Sequence, residues 1–147
     1  MIIEVTNNQR SEAVDIDKTK LLASNVMQQL AVNEQGIFYI NFIGEDQMKK
    51  LNKKFKNHSG LTDVLCFRYD ESMGSGPLLN TERILGEVLI APKAARNYAN
   101  NNKLSYRKEL SRYVIHGILH WLGYEDATED QIKQMRIMED NLIASCS

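Results

Sequence analysis

A chain of 147 residues, 43% hydrophobic and 25% charged, has a globular composition and enough length for one sizeable core without disulfides or a structural metal. Its formal net charge of −1 excludes a protein that binds nucleic acid by bulk charge, so any such role must rest on a local patch. The two cysteines, Cys66 and Cys146, form no CxxC pair, which excludes a disulfide framework and fits a reducing cytoplasm. No apolar run is long enough to cross a bilayer, and MIIEVTNNQR lacks the charge-then-apolar pattern of a signal peptide. One domain spanning residues 1–147 is the expectation.

In chain order, IIEV near the start reads as a short strand. DKTKLLASNVMQQLAVNE reads as an amphipathic helix, with Leu21, Leu22, Val26, Met27 and Leu30 at helical spacing. GIFYINFI (36–43), rich in β-branched and aromatic residues, reads as a buried strand. EDQMKKLNKKFK follows as a helix, with Met48, Leu51 and Phe55 on one face and Glu45 and Asp46 at the end where the helix dipole favours acids. TDVLCFRY (62–69) and ILGEVLIA (84–91) are strands, separated by a loop-like stretch holding Gly74, Gly76 and Pro77. Pro92 suits the first turn of a helix through AARNYANN. A long helix is expected over 106–123, stopped by Gly123. Thr128 with Gln131 three residues later is a capping-box pattern opening a last helix. The order implies an α+β fold: a single four-stranded mixed sheet packed with about five helices, its last helices bunched together.

The helix at 106–123 carries the chemistry. Val114, Ile118 and Trp121 cluster on the helical wheel, and Ile115, Leu119 and Leu122 widen that arc, so the helix is buried. His116 and His120 share the remaining stripe, about 40° apart on the wheel. A lone buried histidine is most often bonded to backbone, but a pair at i, i+4 lets two ring nitrogens converge on one ion. Gly123 then lets the chain turn back and offers Glu125 and Asp126, of which Asp126 has the better spacing as third ligand, although acids near a helix start are also favoured by the dipole. The pattern His-x3-His-x5-Asp resembles the first part of the metzincin protease motif HExxHxxGxxH/D. Position 117 is Gly where those proteases carry the Glu that deprotonates water. That points to metal-assisted hydrolysis of something other than peptides, on a zincin-like frame.

HGILHWLGYED (116–126) resembles the signature HGxLHxxGYDH of the YbeY family, metal-dependent endoribonucleases of ribosomal RNA maturation. TDVLCF (62–67) is similar to the family's TDVLSF, LGEVLIAP (85–92) to its LGDIVICP, and Glu109-Leu110 to an acidic-leucine pair seven residues before the first histidine. The resemblance runs from residue 36 onward. It implies a Zn²⁺ ion held by His116, His120 and Asp126, with Asp126 standing where the family has a third histidine. It implies single-stranded RNA as substrate, near the 3′ end of small-subunit ribosomal RNA, with ribosome-associated partners. Lys56 stands where the family has an arginine; lysine keeps the charge but not the planar fork that grips a phosphate. Cys66 replaces a serine, Leu61 a proline and Glu87 an aspartate. His116 and Lys56 are thus the expected catalytic residues, the first through the ion and the second through its charge.

An RNA contact is expected from Lys49, Lys53, Lys54 and Lys56, with His58, at the helix that precedes the 62–69 strand, although such a run also suits a solvated helix face. Arg68 could add a phosphate contact and Tyr69 a stacking ring. Glu109 is expected to orient a histidine through its other nitrogen rather than bind the ion, because it lies about 10 Å along the helix from His116. Two rivals remain at this point. A metallopeptidase would need a base beside the ion, and a non-catalytic ribosome-assembly factor would use the ion only to tie the helix end to the turn.

Overall fold

A computed structural model describes residues 1–55, 63–69 and 83–147. Four strands, β1 (Ile2–Asn8), β2 (Ile37–Ile43), β3 (Val64–Arg68) and β4 (Ile84–Ile90), form one sheet in the order β1-β2-β4-β3. β1 and β4 both run parallel to β2, while β3 lies antiparallel to β4 at the edge. The expected α+β fold with a mixed sheet is therefore the one observed. Among the described residues the five helices are α1 (Ile16–Gln29), α2 (Glu45–Lys54), α3 (Pro92–Asn101), α4 (Tyr106–Trp121) and α5 (Glu129–Cys146).

Strand alternation divides the core between the two faces of the sheet. Phe38, Ile40, Phe42, Val64, Val88 and Ile90 point to the face covered by α1, α4 and α5. Leu65, Phe67 and Leu89 point the other way, against Met48 and Leu51 of α2. α4 is the axis of the larger core: from Tyr113 to Leu119 every residue is buried.

Its closeness to the sheet depends on a glycine. A Cβ built on Gly117 would stand 2.4 Å from Cγ1 of Val88 and 3.3 Å from Val64. Val88 is fully buried and stiff at χ1, so it has nowhere to retreat. Gly117→Ala gains up to about 1 kcal/mol of helix propensity but overpacks this contact at a typical cost of about 1–3 kcal/mol. The expected result is a net loss of stability, read as a lower urea midpoint with unchanged slope. A midpoint at or above wild type would mean that the helix does not rest on the sheet here.

The helix ends show where local sequence did and did not speak. α5 opens with the expected capping box: Gln131 N–H donates to Thr128 Oγ1 at 3.1 Å, and Thr128 N–H to Gln131 Oε1 at 3.1 Å. α4 closes through Gly123 at φ 101°, with Tyr124 N–H bonded to the Leu119 carbonyl and Gly123 N–H to that of His120. α1, expected to reach residue 34, stops at Gln29. Ala31 adopts φ 55°, and Val32 N–H turns back to the Met27 carbonyl, closing the same kind of turn without a glycine.

Candidate metal centre

The buried stripe of α4 delivers His116 and His120 to one point, and the turn after Gly123 brings Asp126 back to meet them. His116 Nε2 lies 2.9 Å from His120 Nε2 and 3.4 Å from Asp126 Oδ2, and His120 Nε2 lies 3.5 Å from Asp126 Oδ1. Bonds of about 2.1 Å in a tetrahedron place ligand atoms about 3.4 Å apart, so the three groups are close to a zinc-type spacing. Asp126 Oδ1 is buried with no hydrogen-bond partner among the described residues. A buried carboxylate oxygen with no donor is costly unless a cation satisfies it. The residues therefore fit a divalent ion, and they are the group among the described residues that could hold one.

Electrostatics favour the same use. Burial pushes the His120 pKa below its ordinary value, and the neighbouring His116 adds to the shift, while Asp126 and a backbone hydrogen bond at Tyr124 pull against it. The ring is thereby held in the neutral form that a metal requires.

Behind His116 stands a buried ionic network. His116 Nδ1 lies 2.6 Å from Glu139 Oε2. A carboxylate can only accept, so the ring donates Nδ1–H and keeps its Nε2 lone pair for the ion. Arg112 holds Glu139 Oε1 and Glu109 Oε1, each at 3.4 Å, and Asp140 Oδ1 at 2.8 Å. Burial disfavours the guanidinium charge, yet Asp140, Glu109 and Glu139 together raise its pKa above the ordinary value. Glu109 is thus three links from the ring it is expected to orient, with Arg112 and Glu139 in between. At two helical turns' distance it reaches Arg112, and the carboxylate on the histidine comes from α5 instead. Truncating Glu139 to alanine is expected to weaken zinc binding about 10–100-fold, with Glu139→Gln, whose amide oxygen still accepts, losing less. Calorimetric titration against a competing chelator measures this; equal affinity in all three proteins would remove the orienting role.

The basic residues distribute differently. Lys49, Lys53 and Lys54 are exposed on α2, across the sheet from α4. Lys56 and His58 lie outside the described residues. Arg68 does not stand free for phosphate. Its guanidinium lies over the Trp121 ring at 4.6 Å, donates to the Trp121 carbonyl at 3.0 Å and pairs with Glu34 at 2.6 Å. It clasps the C-terminal end of α4 to the edge strand β3. Burial pushes the Cys66 thiol up to about 12 against the pull of Arg68, so this cysteine packs rather than reacts.

A cleft of about 320 Å³ opens beside the ligands, reaching His116 and Asp126 and running between α3, α4 and α5. Two histidines from a buried helix and an aspartate from the turn that follows it, with a cavity at their side, form a candidate open metal centre of the hydrolase type rather than a closed structural site. The chain belongs to the YbeY family: the family model described as Endoribonuclease YbeY matches residues 4–147. It is 31% identical to an Endoribonuclease YbeY of Thermodesulfovibrio yellowstonii, over 97% of this chain and 96% of that one. It is 33% identical to one of Chlamydia caviae, over 95% and 87% respectively. Its fold is similar to the solution structure of TM1509 from Thermotoga maritima, with TM-score 0.60 and 22% identity over 99% of this chain and 89% of that one.

Proposed function

We propose that residues 1–147 act as one zinc-dependent endoribonuclease domain that cuts single-stranded RNA, and that its setting is maturation of ribosomal RNA near the small-subunit 3′ end, in the cytoplasm. The observation that carries this reading is the convergence of His116, His120 and Asp126 on one point, in a chain of the YbeY family. When bound, a zinc ion supplies a nucleophile activated near neutral pH and positive charge for the phosphate oxygens. The chain's own groups hold and orient: Glu139 fixes the His116 ring, burial keeps His120 neutral, and the Gly123 turn presents Asp126. Lys56 would add charge to the developing phosphorane-like transition state. Lys49, Lys53 and Lys54, across the sheet, would hold phosphates well away from the scissile bond.

The peptidase alternative loses its base. Position 117 faces Val88 and Val64, so a glutamate there would be driven into the sheet rather than towards the ligands. The purely structural alternative is disfavoured by the cleft that reaches His116 and Asp126.

Elemental analysis of the purified protein, followed by incubation with single-stranded and duplex oligoribonucleotides, tests the reading. The expected result is close to one zinc per chain and cleavage of the single strand alone, lost with chelator and restored by zinc. Stable RNA alongside a full zinc complement would assign the ion a structural part instead.

A further inference from the structure

The cleft beside the ligands holds groups that the hydrolytic centre does not use. Tyr113, from α4, is buried in its wall, and Tyr98, from α3, is 41% exposed at its mouth. Met135 of α5 lines it from below. On the same helix Lys133 and Arg136 are exposed at its rim, three residues apart and hence on one face. Neither cation has an ion-pair partner among the described residues, whereas Arg96, Arg68 and Arg112 are all paired. The floor is different in kind: Glu109 and Glu139 are buried there and already share Arg112. A phosphate would be repelled from that floor and drawn to the rim. A flat, largely apolar group would fill the space between the tyrosines.

We propose that this cleft is a nucleotide subsite: it receives one unpaired base of the RNA next to the scissile phosphate, stacked on Tyr98, while Lys133 and Arg136 hold the flanking phosphates. The proposal rests on the endoribonuclease reading above and adds the place where the strand lies. Three observations converge on it. The cavity is continuous with His116 and Asp126, so a base seated there brings its own phosphodiester to the ligands. A volume of about 320 Å³ lies at the small end for ligand pockets and suits one nucleoside. Aromatic walls with a cationic rim are how single strands are held without duplex geometry. A base locked in a duplex cannot leave its stack to enter, so the cleft itself supplies selectivity for single strands.

The test uses the whole protein and a 2′-O-methyl oligoribonucleotide of mixed sequence, its intactness confirmed on a denaturing gel, with binding followed by fluorescence anisotropy across a salt series. Removing two phosphate contacts with Lys133→Ala/Arg136→Ala should flatten the slope of log affinity against log salt by about 1.4, at about 0.7 per phosphate for single strands. Tyr98→Ala should weaken binding about tenfold, and Tyr98→Phe, which keeps the ring, should bind like wild type. In a series of oligonucleotides each carrying one abasic position, one position should cost affinity in wild type and cost nothing in Tyr98→Ala. Zinc content should be unchanged in every variant. Wild-type binding with slopes and abasic profiles identical in all variants would overturn the subsite and leave the endoribonuclease reading standing. A wild type that neither binds nor cleaves single-stranded RNA would overturn both.

Discussion

Asp126→Ala is expected to abolish RNA cleavage and to weaken zinc binding by at least about 100-fold, since even residues that only orient a ligand are worth about 10–100-fold. The fold should survive. Asp126 sits in the turn between α4 and α5, and its buried Oδ1 has no hydrogen-bond partner among the described residues to lose. Ligand linkage gives the effect a thermodynamic reading free of any assay. At a zinc concentration 100 times the wild-type Kd, the native protein gains about 2.7 kcal/mol. A variant with 100-fold weaker binding gains only about 0.4 kcal/mol at the same concentration. Denaturation with and without zinc should therefore show a large ion-dependent shift in wild type and almost none in Asp126→Ala, with the two metal-free proteins similar. If the variant keeps the shift, the third ligand is some other group, and the motif has been read one residue wrong.

Arg112→Ala is expected to be the most destabilising single change in the buried network. It would leave Glu109 and Glu139, 2% and 3% exposed, without their shared cation. Removing one partner of a buried ion pair costs about 3–5 kcal/mol, because the other charge stays behind. In a chain of this size that corresponds to a fall in Tm of roughly 10 °C. Pairing the change with Glu109→Gln should recover part of the loss by removing one stranded charge. Thermal melts of the single and double variants measure both. A single variant within about 1 kcal/mol of wild type would mean that water or a rearranged partner satisfies the carboxylates.

Much of this architecture was legible in the residues. All nine elements appear in the expected order, because period-2 and period-3.6 patterns are set by side chains that face the core, as in Phe38, Ile40 and Phe42 or in Val114, Ile118 and Trp121. The meeting of His116, His120 and Asp126 is legible because they are nearly contiguous: a four-residue helical step and a glycine turn bring the three candidate ligands together locally. What needed coordinates is long-range. Glu139 lies 23 residues from His116, and no local rule joins them. A clue was present, for Glu139 falls on the apolar stripe of α5 with Met135, Leu142, Ile143 and Cys146, where a carboxylate needs a reason. Glu109 belongs to the network behind His116, but its partner is Arg112 and the carboxylate on the ring is that of Glu139. Arg68, as a strand-end arginine, looks free for a phosphate until Trp121 and Glu34 are seen around it. The end of α1 escaped because an alanine at φ 55° carries no glycine's signature.

The origin of Glu139 on α5 has a consequence for the whole chain. His116 and α5 are joined by one 2.6 Å bond, so if the trio holds an ion, seating that helix and loading the ion would be two halves of a single equilibrium. By reciprocity, whatever free energy a docked C-terminal segment lends to ion capture, ion capture returns to the docking. An ion-starved chain would then also be one whose α5 is more readily released, and the metal supply of its surroundings would set how firmly that helix is fastened.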